Sequence, residues 1–317
     1  MTEQSVSERT QRPLCGRFAP SPTGPLHLGS LRTALVAWLL ARGGGGRFRL
    51  RVEDIDPDRS RPQWEAVQLA ALAGLGIDSD GPLVRQSERL ALYAEALSRL
   101  ESAGLVYPCF CTRADIRAAG SAPHGAVAGQ LPAGSGGLPA GSYPGTCRRL
   151  SAAERAERVG RGERCALRFD ASGAPVDFVD RLAGRQSWRV DDFVLRRSDG
   201  VFAYQLAVVV DDFAQDVTQV VRGADLLDSV GRQVMLMRAL GYPEPSWAHV
   251  PLVLGPDGRR LAKRHGSDGA AQGPAETLAR LAASLGITVD ASAPPTSAAD
   301  LLPGFDPGRI PAHPVTL

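Results

Sequence analysis

Apolar residues along the chain recur with two periods, and the alternation between them outlines the elements. Cys15–Ala19 reads as a short strand entering a proline-glycine loop, Pro20-Ser21-Pro22-Thr23-Gly24-Pro25. His27-Leu28-Gly29-Ser30 opens a helix to about Arg42, with Leu31, Leu35, Trp38 and Leu39 on one face. After the Gly43–Gly46 break, Arg47–Glu53 alternates basic and apolar residues, the pattern of a half-buried strand. Ser60 and Gln63 read as a capping box, with Pro62 in the first turn of a helix to about Gly76. A further helix is expected from Ser87 to Gly104, with Leu90, Tyr93, Leu97 and Leu100 at helical spacing. Strand, helix, strand, helix implies a parallel sheet with crossover helices.

The pattern then changes. Ala118–Ser142 carries seven glycines and no period, and reads as a mobile loop. Ser151 with Glu154 caps a short helix, and Arg164–Phe169 alternates as a strand. Asp192–Arg197 and Val201–Tyr204 flank Ser198-Asp199-Gly200 as a hairpin. Gln205–Val210 and Val217–Arg222 read as apolar, β-branched strands, and Asp225–Leu240 as a helix closed by Gly241. Val250–Leu254 is the last expected strand, and a Pro-Asp-Gly turn leads from it to Lys263. One helix, Pro274–Leu285, and a proline-broken tail follow.

Composition narrows the class. The 317 residues are 44% apolar and 22% charged, as in a folded globular protein and unlike a disordered one. The longest apolar run, around Leu31–Ala41, is broken by Arg32 and falls short of the ~18–20 residues that span a bilayer. Met1–Arg12 lacks the apolar core of a signal peptide. Five cysteines (Cys15, Cys109, Cys111, Cys147, Cys165) are an odd number in a long chain, which argues against a secreted disulfide framework. A cytoplasmic enzyme with no membrane association is expected.

Of the 36 basic residues only Lys263 is lysine, and the chain has no asparagine. Both amino acids have A/T-rich codons, so a G/C-rich genome accounts for the bias, and arginine content says little about nucleic acid. The surviving lysine points instead to a position where a planar guanidinium does not replace a compact ammonium. Net charge is +2, but Arg148–Arg197 holds twelve arginines against eight acids. That segment either faces phosphates or forms a solvated basic surface.

Two constellations carry chemistry. A strand that feeds a Gly/Pro loop into a helix N-terminus, Arg17 to Ser30, makes an anion site from free N–H groups and the helix dipole. His27 at its mouth is placed to donate to phosphate oxygens. Cys109-Phe-Cys111 with the distant Cys147 offers three thiolates to zinc, which prefers four tetrahedral N/S ligands. His124 or water would be the fourth ligand; reduced cysteines beside a core strand are the alternative.

Arg-Phe-Ala-Pro-Ser-Pro-Thr-Gly-Pro-Leu-His-Leu-Gly (17–29) resembles the nucleotide-binding segment of the class I aminoacyl-tRNA synthetases, in their glutamyl branch. Arg-Val-Glu-Asp-Ile-Asp-Pro (51–57), Phe-Ala-Tyr-Gln-Leu-Ala-Val-Val-Val-Asp-Asp (202–212) and Val-Val-Arg-Gly-Ala-Asp-Leu (220–226) resemble further segments of that branch, in the expected order. Arg260-Leu261-Ala262-Lys263-Arg264 resembles its mobile lysine loop, and the only lysine falls on the catalytic position. Two positions depart from the pattern: Ser30 stands where other class I branches carry a second histidine, and Ala262 stands where a serine is usual. Cys-x-Cys-Thr-Arg followed by Tyr143-x-Gly-x-Cys147-Arg resembles the zinc motif of the glutamyl-queuosine tRNA(Asp) synthetases, in which the tyrosine oxygen is the fourth ligand.

The resemblance, covering about Gly16 to Gly266, implies a residue set. Arg17, Ala19, Ser21, Glu53, Tyr204 and Arg222 would bind L-glutamate, with Glu53 on its ammonium. His27, Gly29 and Lys263 would bind ATP, which arrives with Mg2+, and His27 and Lys263 would be catalytic. Cys109, Cys111, Tyr143 and Cys147 would hold one structural zinc. The implied fold is α/β, a Rossmann-like class I catalytic domain with a zinc-bearing insertion between the two sheet halves. Residues 13–108 and 191–266 would form the two halves, 109–190 the RNA-contacting insertion, and 267–317 a short C-terminal tail. Only 54 residues follow Lys263, below the ~100–150 of a typical domain, so no anticodon-binding domain is expected. The implied activity is tRNA-independent activation of glutamate and its transfer to the queuosine base of tRNA(Asp), with a monomer expected. A truncated glutamyl-tRNA synthetase charging a 3′ end, and a non-catalytic RNA- or zinc-binding paralogue, are the alternatives.

Overall fold

The structure, a computed structural model, describes residues 12–112, 114–116, 143–255, 258, 273–290 and 292–316. Its first strand, β1 (Cys15–Phe18), is buried at every position, as a strand covered on both faces must be. Helix α1 (Leu28–Gly43) crosses over to β2 (Arg47–Val52), which lies parallel to β1. α1 is buried nearly all round, from Ala34 to Ala41, and not only along the single stripe its leucines suggest. Gly16 lets it approach: a Cβ there would stand 3.0 Å from the Cβ of Ala41.

Next come α2 (Pro62–Gly74), β3 (Val84–Arg85), α3 (Leu90–Ser102) and β4 (Val106–Cys109). They are followed by α4 (Ala152–Gly160), β5 (Ala166–Phe169), β6 (Pro175–Asp180), β7 (Gly184–Arg189) and β8 (Phe193–Arg196). α5 (Tyr204–Ala214), β9 (Gln219–Gly223), α6 (Val230–Leu240), β10 (Ser246–Val250) and β11 (Val253–Leu254) continue the chain. α7 (Pro274–Ala283) and β12 (Val315–Thr316) end it.

Seven strands form one sheet in the order β3-β2-β1-β9-β10-β6-β7, parallel except for the β6/β7 hairpin. β4, β5 and β8 make a separate antiparallel sheet, and β12 pairs with β11. One core lies between α1, the sheet and the C-terminal residues, including Leu278, Leu281, Leu301 and Ile310. A second joins α3, α5 and α6 to the other end of the sheet, and a small third surrounds Tyr107, Cys109, Tyr143 and Cys147. Among the described residues no helix is long and apolar enough to cross a membrane.

Several expectations need correction. Gln205–Val210 is not a strand but part of α5; a short apolar run buried on all sides has no period that separates strand from helix. The expected hairpin before it shrinks to one bridge, Arg196 to Phe202, because the chain turns at once into α5. α2 has no capping box: Pro62 forces Arg61 into extended backbone, so Arg61 is the N-cap and Ser60 lies one residue outside. Val250–Leu254 is two strands split at Pro251, which cannot donate to a ladder. The helices expected at Ser87 and Asp225 begin as 3-10 turns, Gln86–Glu88 and Ala224–Ser229, before α3 and α6. The unanticipated hairpin β6/β7 extends the large sheet from within 109–190, the stretch expected to form the insertion. The glycine-rich stretch Ala118–Ser142 lies outside the described residues, apart from its neighbour Tyr143.

Candidate active site

Strand order reverses between β1 and β9, and the carboxyl ends of parallel strands at such a switch point leave a crevice. A pocket of about 650 Å³ opens there. Arg17 on β1, Glu53 just after β2, Tyr204 at the start of α5 and Arg222 on β9 all line it. So do Ala19, Ser21, His27 and Gly29, from the loop and helix that follow β1.

The loop is held from below. Gln68 of α2, itself buried, donates to the carbonyls of Ser21 (3.0 Å) and Gly24 (2.6 Å), and the Glu53 amide donates to Pro20 (2.9 Å). His27 is the N-cap of α1: its Nδ1 accepts from the Ser30 amide at 3.1 Å, and the Ser30 hydroxyl lies 3.1 Å from Nε2. Ser30, the departure from the family pattern, therefore contacts the histidine itself. Gly29 sits under that ring, where a Cβ would meet His27 Nδ1 at 3.2 Å and Val253 at 3.4 Å. The bare backbone leaves the helix N-terminus open to an anion.

The acid end of the pocket rests on a buried charge network. Arg17 directs Nε to Asp212 Oδ1 (3.4 Å) and donates from Nη1 to the Val221 carbonyl (2.9 Å). Arg51, fully buried, donates to Asp212 at 2.8 Å and to Gln215 at 2.8 Å, and lies 3.3 Å from Glu53 and 3.7 Å from Asp211. Asp211 in turn accepts from Gln86 (2.9 Å), Arg89 (2.6 Å) and Tyr93 (2.8 Å). Burial opposes ionisation of Arg51, but Asp212, Asp211 and Glu53 more than compensate and raise its pKa. Burial lowers that of Arg17, and it raises that of Glu53 against the pull of Arg51 and Arg17.

Arg222 is fixed at three corners. Its Nη1 donates to the Tyr204 hydroxyl (3.2 Å), Nη2 to the Leu226 carbonyl (3.2 Å) and Nε to His249 Nε2 (2.9 Å). His249 Nδ1 faces Asp180 Oδ2 at 2.6 Å. Neither His249 and Asp180 nor Arg51 was singled out from the sequence. A signal was present for Arg51: two aspartates, Asp211 and Asp212, end an apolar run, and buried carboxylates require a cation.

Away from the pocket, the sulfurs of Cys109, Cys111 and Cys147 lie within 4.8 Å of one another, with Cys111 and Cys147 3.5 Å apart. The Tyr143 hydroxyl is 3.4 Å from Cys109 Sγ and 3.8 Å from Cys111 Sγ. Zinc–sulfur bonds of ~2.3 Å at tetrahedral angles put sulfurs ~3.8 Å apart, so four donors converge at nearly the separations zinc needs. The Phe110 amide donates to Cys147 Sγ (3.3 Å). Burial pushes the Cys111 thiol up to about 11. Burial also opposes ionisation of Cys147, but the Phe110 amide and its Tyr143 and cysteine neighbours bring it below its ordinary value. The other candidate ligand, His124, lies outside the described residues, as do Lys263 and Ala262.

Of the twelve arginines in Arg148–Arg197, several are already engaged. Arg148 pairs with Asp170 and Asp192, Arg158 with Glu163, Arg161 with Glu157 and Glu163, and Arg197 with Asp56 and Asp199.

A parallel sheet whose switch-point pocket is entered by this loop and helix N-terminus defines a class of enzyme. Residues 14–281 match the tRNA synthetases class I (E and Q), catalytic domain. The crystal structure of a glutamate tRNA ligase from Elizabethkingia meningosepticum, in complex with its amino acid, superposes with a TM-score of 0.77 at 28% identity. It takes in 96% of this chain, which spans 66% of that longer one. The glutamyl-Q tRNA(Asp) synthetase of Nocardia farcinica is 52% identical over 305 residues, 94% of this chain and 91% of that one. That of Symbiobacterium thermophilum is 49% identical over 321 residues, 96% of each chain. The chain belongs to the glutamyl-Q tRNA(Asp) synthetase family.

Proposed function

We propose that this enzyme activates L-glutamate with ATP and transfers it to the queuosine base at the wobble position of tRNA(Asp). One observation carries the reading. Two arginines, a carboxylate and a tyrosine converge on one pocket beside an anion-binding helix N-terminus, in a chain about half identical to relatives of that activity.

Arg17 and Arg222 engage the two carboxylates of glutamate, and Glu53 takes its ammonium. Tyr204 holds Arg222, and Ala19 and Ser21 shape the floor of the pocket. ATP, as its magnesium complex, lies along the loop and α1, with its phosphates over His27 and Gly29. The substrate's α-carboxylate oxygen attacks the α-phosphorus, the bond to the bridging oxygen breaks, and pyrophosphate leaves. His27 and Lys263 stabilise the charge that develops on the phosphate oxygens. A queuosine hydroxyl then attacks the adenylate carbonyl, forming an ester and releasing AMP. Every group invoked comes from one chain, so the reading needs no second copy.

Cys109, Cys111, Cys147 and Tyr143 hold one zinc, which supplies folding energy to the segment around β4 and plays no part in the chemistry. This segment, with Arg149, Arg164 and Arg185, faces the RNA backbone, and transfer should be more salt-sensitive than activation.

The test compares glutamate transfer to tRNA(Asp) with and without queuosine, each with and without its 3′-terminal adenosine. Transfer that requires queuosine and not the terminal adenosine is the expected result. Charging of unmodified tRNA(Glu) at its 3′ end would make this a glutamyl-tRNA synthetase instead. Absence of glutamate-dependent ATP–pyrophosphate exchange would make it a non-catalytic paralogue.

A further inference from the structure

We propose that Asp180 and His249 form a positioning pair that fixes Arg222 in the orientation in which it receives a substrate carboxylate. The proposal rests on the reading above that Arg222 binds glutamate. The three residues stand side by side across adjacent parallel strands: Arg222 and His249 are register partners on β9 and β10, and Asp180 ends β6 opposite Trp247 of β10. The side chains of His249 and Asp180 are fully buried.

The hydrogen bonds determine where the imidazole proton lies. Asp180 Oδ1 is occupied by the amides of Leu182 (2.9 Å), Ala183 (2.8 Å) and His249 (3.2 Å), which leaves Oδ2 to face His249 Nδ1 at 2.6 Å. A carboxylate only accepts, so Nδ1 carries the proton. At the other end Arg222 Nε only donates, so Nε2 must be bare. Both ends demand the same tautomer of a neutral imidazole. Burial, the largest influence on His249, holds its pKa below the ordinary value and keeps it neutral.

This arrangement suits a substrate-binding arginine better than a direct carboxylate would. A neutral acceptor orients the guanidinium without cancelling its charge, whereas Arg17 shares its charge with Asp212. With Nε on His249, Nη1 on Tyr204 and Nη2 on Leu226, one N–H of each terminal nitrogen has no partner among the described residues. That is the pair a carboxylate accepts in bidentate fashion.

Asp180→Asn tests the tautomer directly. Three backbone N–H groups keep the amide oxygen in the Oδ1 place, so the amide nitrogen turns to His249 Nδ1. The proton then moves to Nε2, and two donors face each other at Arg222. The KM for glutamate in tRNA-independent ATP–pyrophosphate exchange should rise roughly ten- to hundred-fold, with the KM for ATP changed by less than about two-fold. Nitrogen NMR of the imidazoles should show His249 protonated on Nδ1 in the wild type and on Nε2 in the variant. His249→Gln, which returns an oxygen acceptor to Arg222, should keep glutamate KM within about five-fold of wild type.

A wild-type His249 protonated on Nε2 would overturn the proposal whether or not the variants fold. So would an inverted tautomer in Asp180→Asn with unchanged glutamate KM, or an equal rise in both KM values. Arg222→Ala separates the two levels. If it leaves glutamate KM unchanged, the assignment of Arg222 itself falls; if it raises KM while Asp180→Asn does not, only the positioning role falls.

Discussion

Asp212 is the anion between two buried cations, and its removal should be among the most damaging single changes in the chain. Its Oδ1 takes 2.8 Å and 3.4 Å contacts from Arg51 and Arg17, whose side chains are 0% and 4% exposed. Asp212→Ala leaves Arg51 with Glu53, Asp211 and Gln215, but among the described residues leaves Arg17 hydrogen-bonded only to the Val221 carbonyl. Removing one partner of a buried pair costs about 3–5 kcal/mol, and the carboxylates left to Arg51 favour the lower end, about 3. At about 2–4 °C per kcal/mol for a large domain, Tm should fall by about 6–12 °C. The orphaned charge on Arg17 can be tested separately. Arg17→Met in the Asp212→Ala background removes that charge and should recover part of the loss, so the two substitutions are less than additive. Burial opposes ionisation of Asp212, yet Arg17 and Arg51 hold its pKa below the ordinary 3.8. Its contribution is therefore complete above that value and is lost only as pH falls through the lower, folded-state pKa. Calorimetric melts of the wild type, the two single variants and the double variant at neutral pH provide the measurement. A Tm change below about 2 °C for Asp212→Ala, or a double variant as unstable as the sum of its parts, would refute the reasoning.

Four further outcomes are expected. Purified, tag-free protein should contain about one zinc per chain, and Cys111→Ser should lower both metal content and Tm, because metal binding is folding energy for so small a core; metal analysis finding no zinc refutes this. Lys263→Ala should cost roughly 10²–10³ in ATP–pyrophosphate exchange, and Lys263→Arg a large part of that, with circular dichroism unchanged. Exchange should proceed with glutamate and not glutamine, and Arg17→Ala or Arg222→Ala should raise glutamate KM far more than ATP KM; comparable exchange with glutamine would refute the pocket assignment. Burial raises the Glu53 pKa above its ordinary 4.5, so glutamate KM should begin to climb on acidification at a pH above that value. Glu53→Gln should abolish that acid limb, and an acid limb retained in the variant would show that another group titrates.

What the sequence disclosed and what it hid divide along a physical line. The loop from Arg17 to Gly29 was legible because proline, glycine and a capping histidine act locally, each on its own few residues. Gly241 closing α6 in the left-handed region and the Ser151/Glu154 capping box were legible for the same reason. Gln205–Val210 was misread because burial on every side erases the period that distinguishes helix from strand. Arg51 was read only as one basic position of a half-buried strand. Its partners Asp212 and Gln215 lie 161 and 164 residues away, and no local pattern encodes such a pairing. His249 went unnoticed because a lone histidine in an apolar strand carries no spacing signal; only the register of β9 against β10 places it on Arg222.

The proposed assignment also lets one pocket distinguish charge from shape. The pocket-lining groups that the proposed function assigns to the substrate are Arg17, Arg222 and Glu53, two positive and one negative. L-Glutamate presents two carboxylates and one ammonium, the inverse of that set, so each of its charges would meet an opposite one. Glutamine has nearly the same volume but offers one carboxylate fewer, and would strand one guanidinium against a neutral amide. A buried polar group without its partner costs far more than a misfit of one methylene, so charge is the better discriminator here. For this to work, neither arginine can relax toward another partner when the wrong substrate enters. Arg17 is held by Asp212 and the Val221 carbonyl, and Arg222 by His249, Tyr204 and the Leu226 carbonyl. On the proposed assignment, the buried network beneath the pocket thus contributes to selectivity by fixing both guanidiniums in place, so that neither can turn to follow a neutral amide.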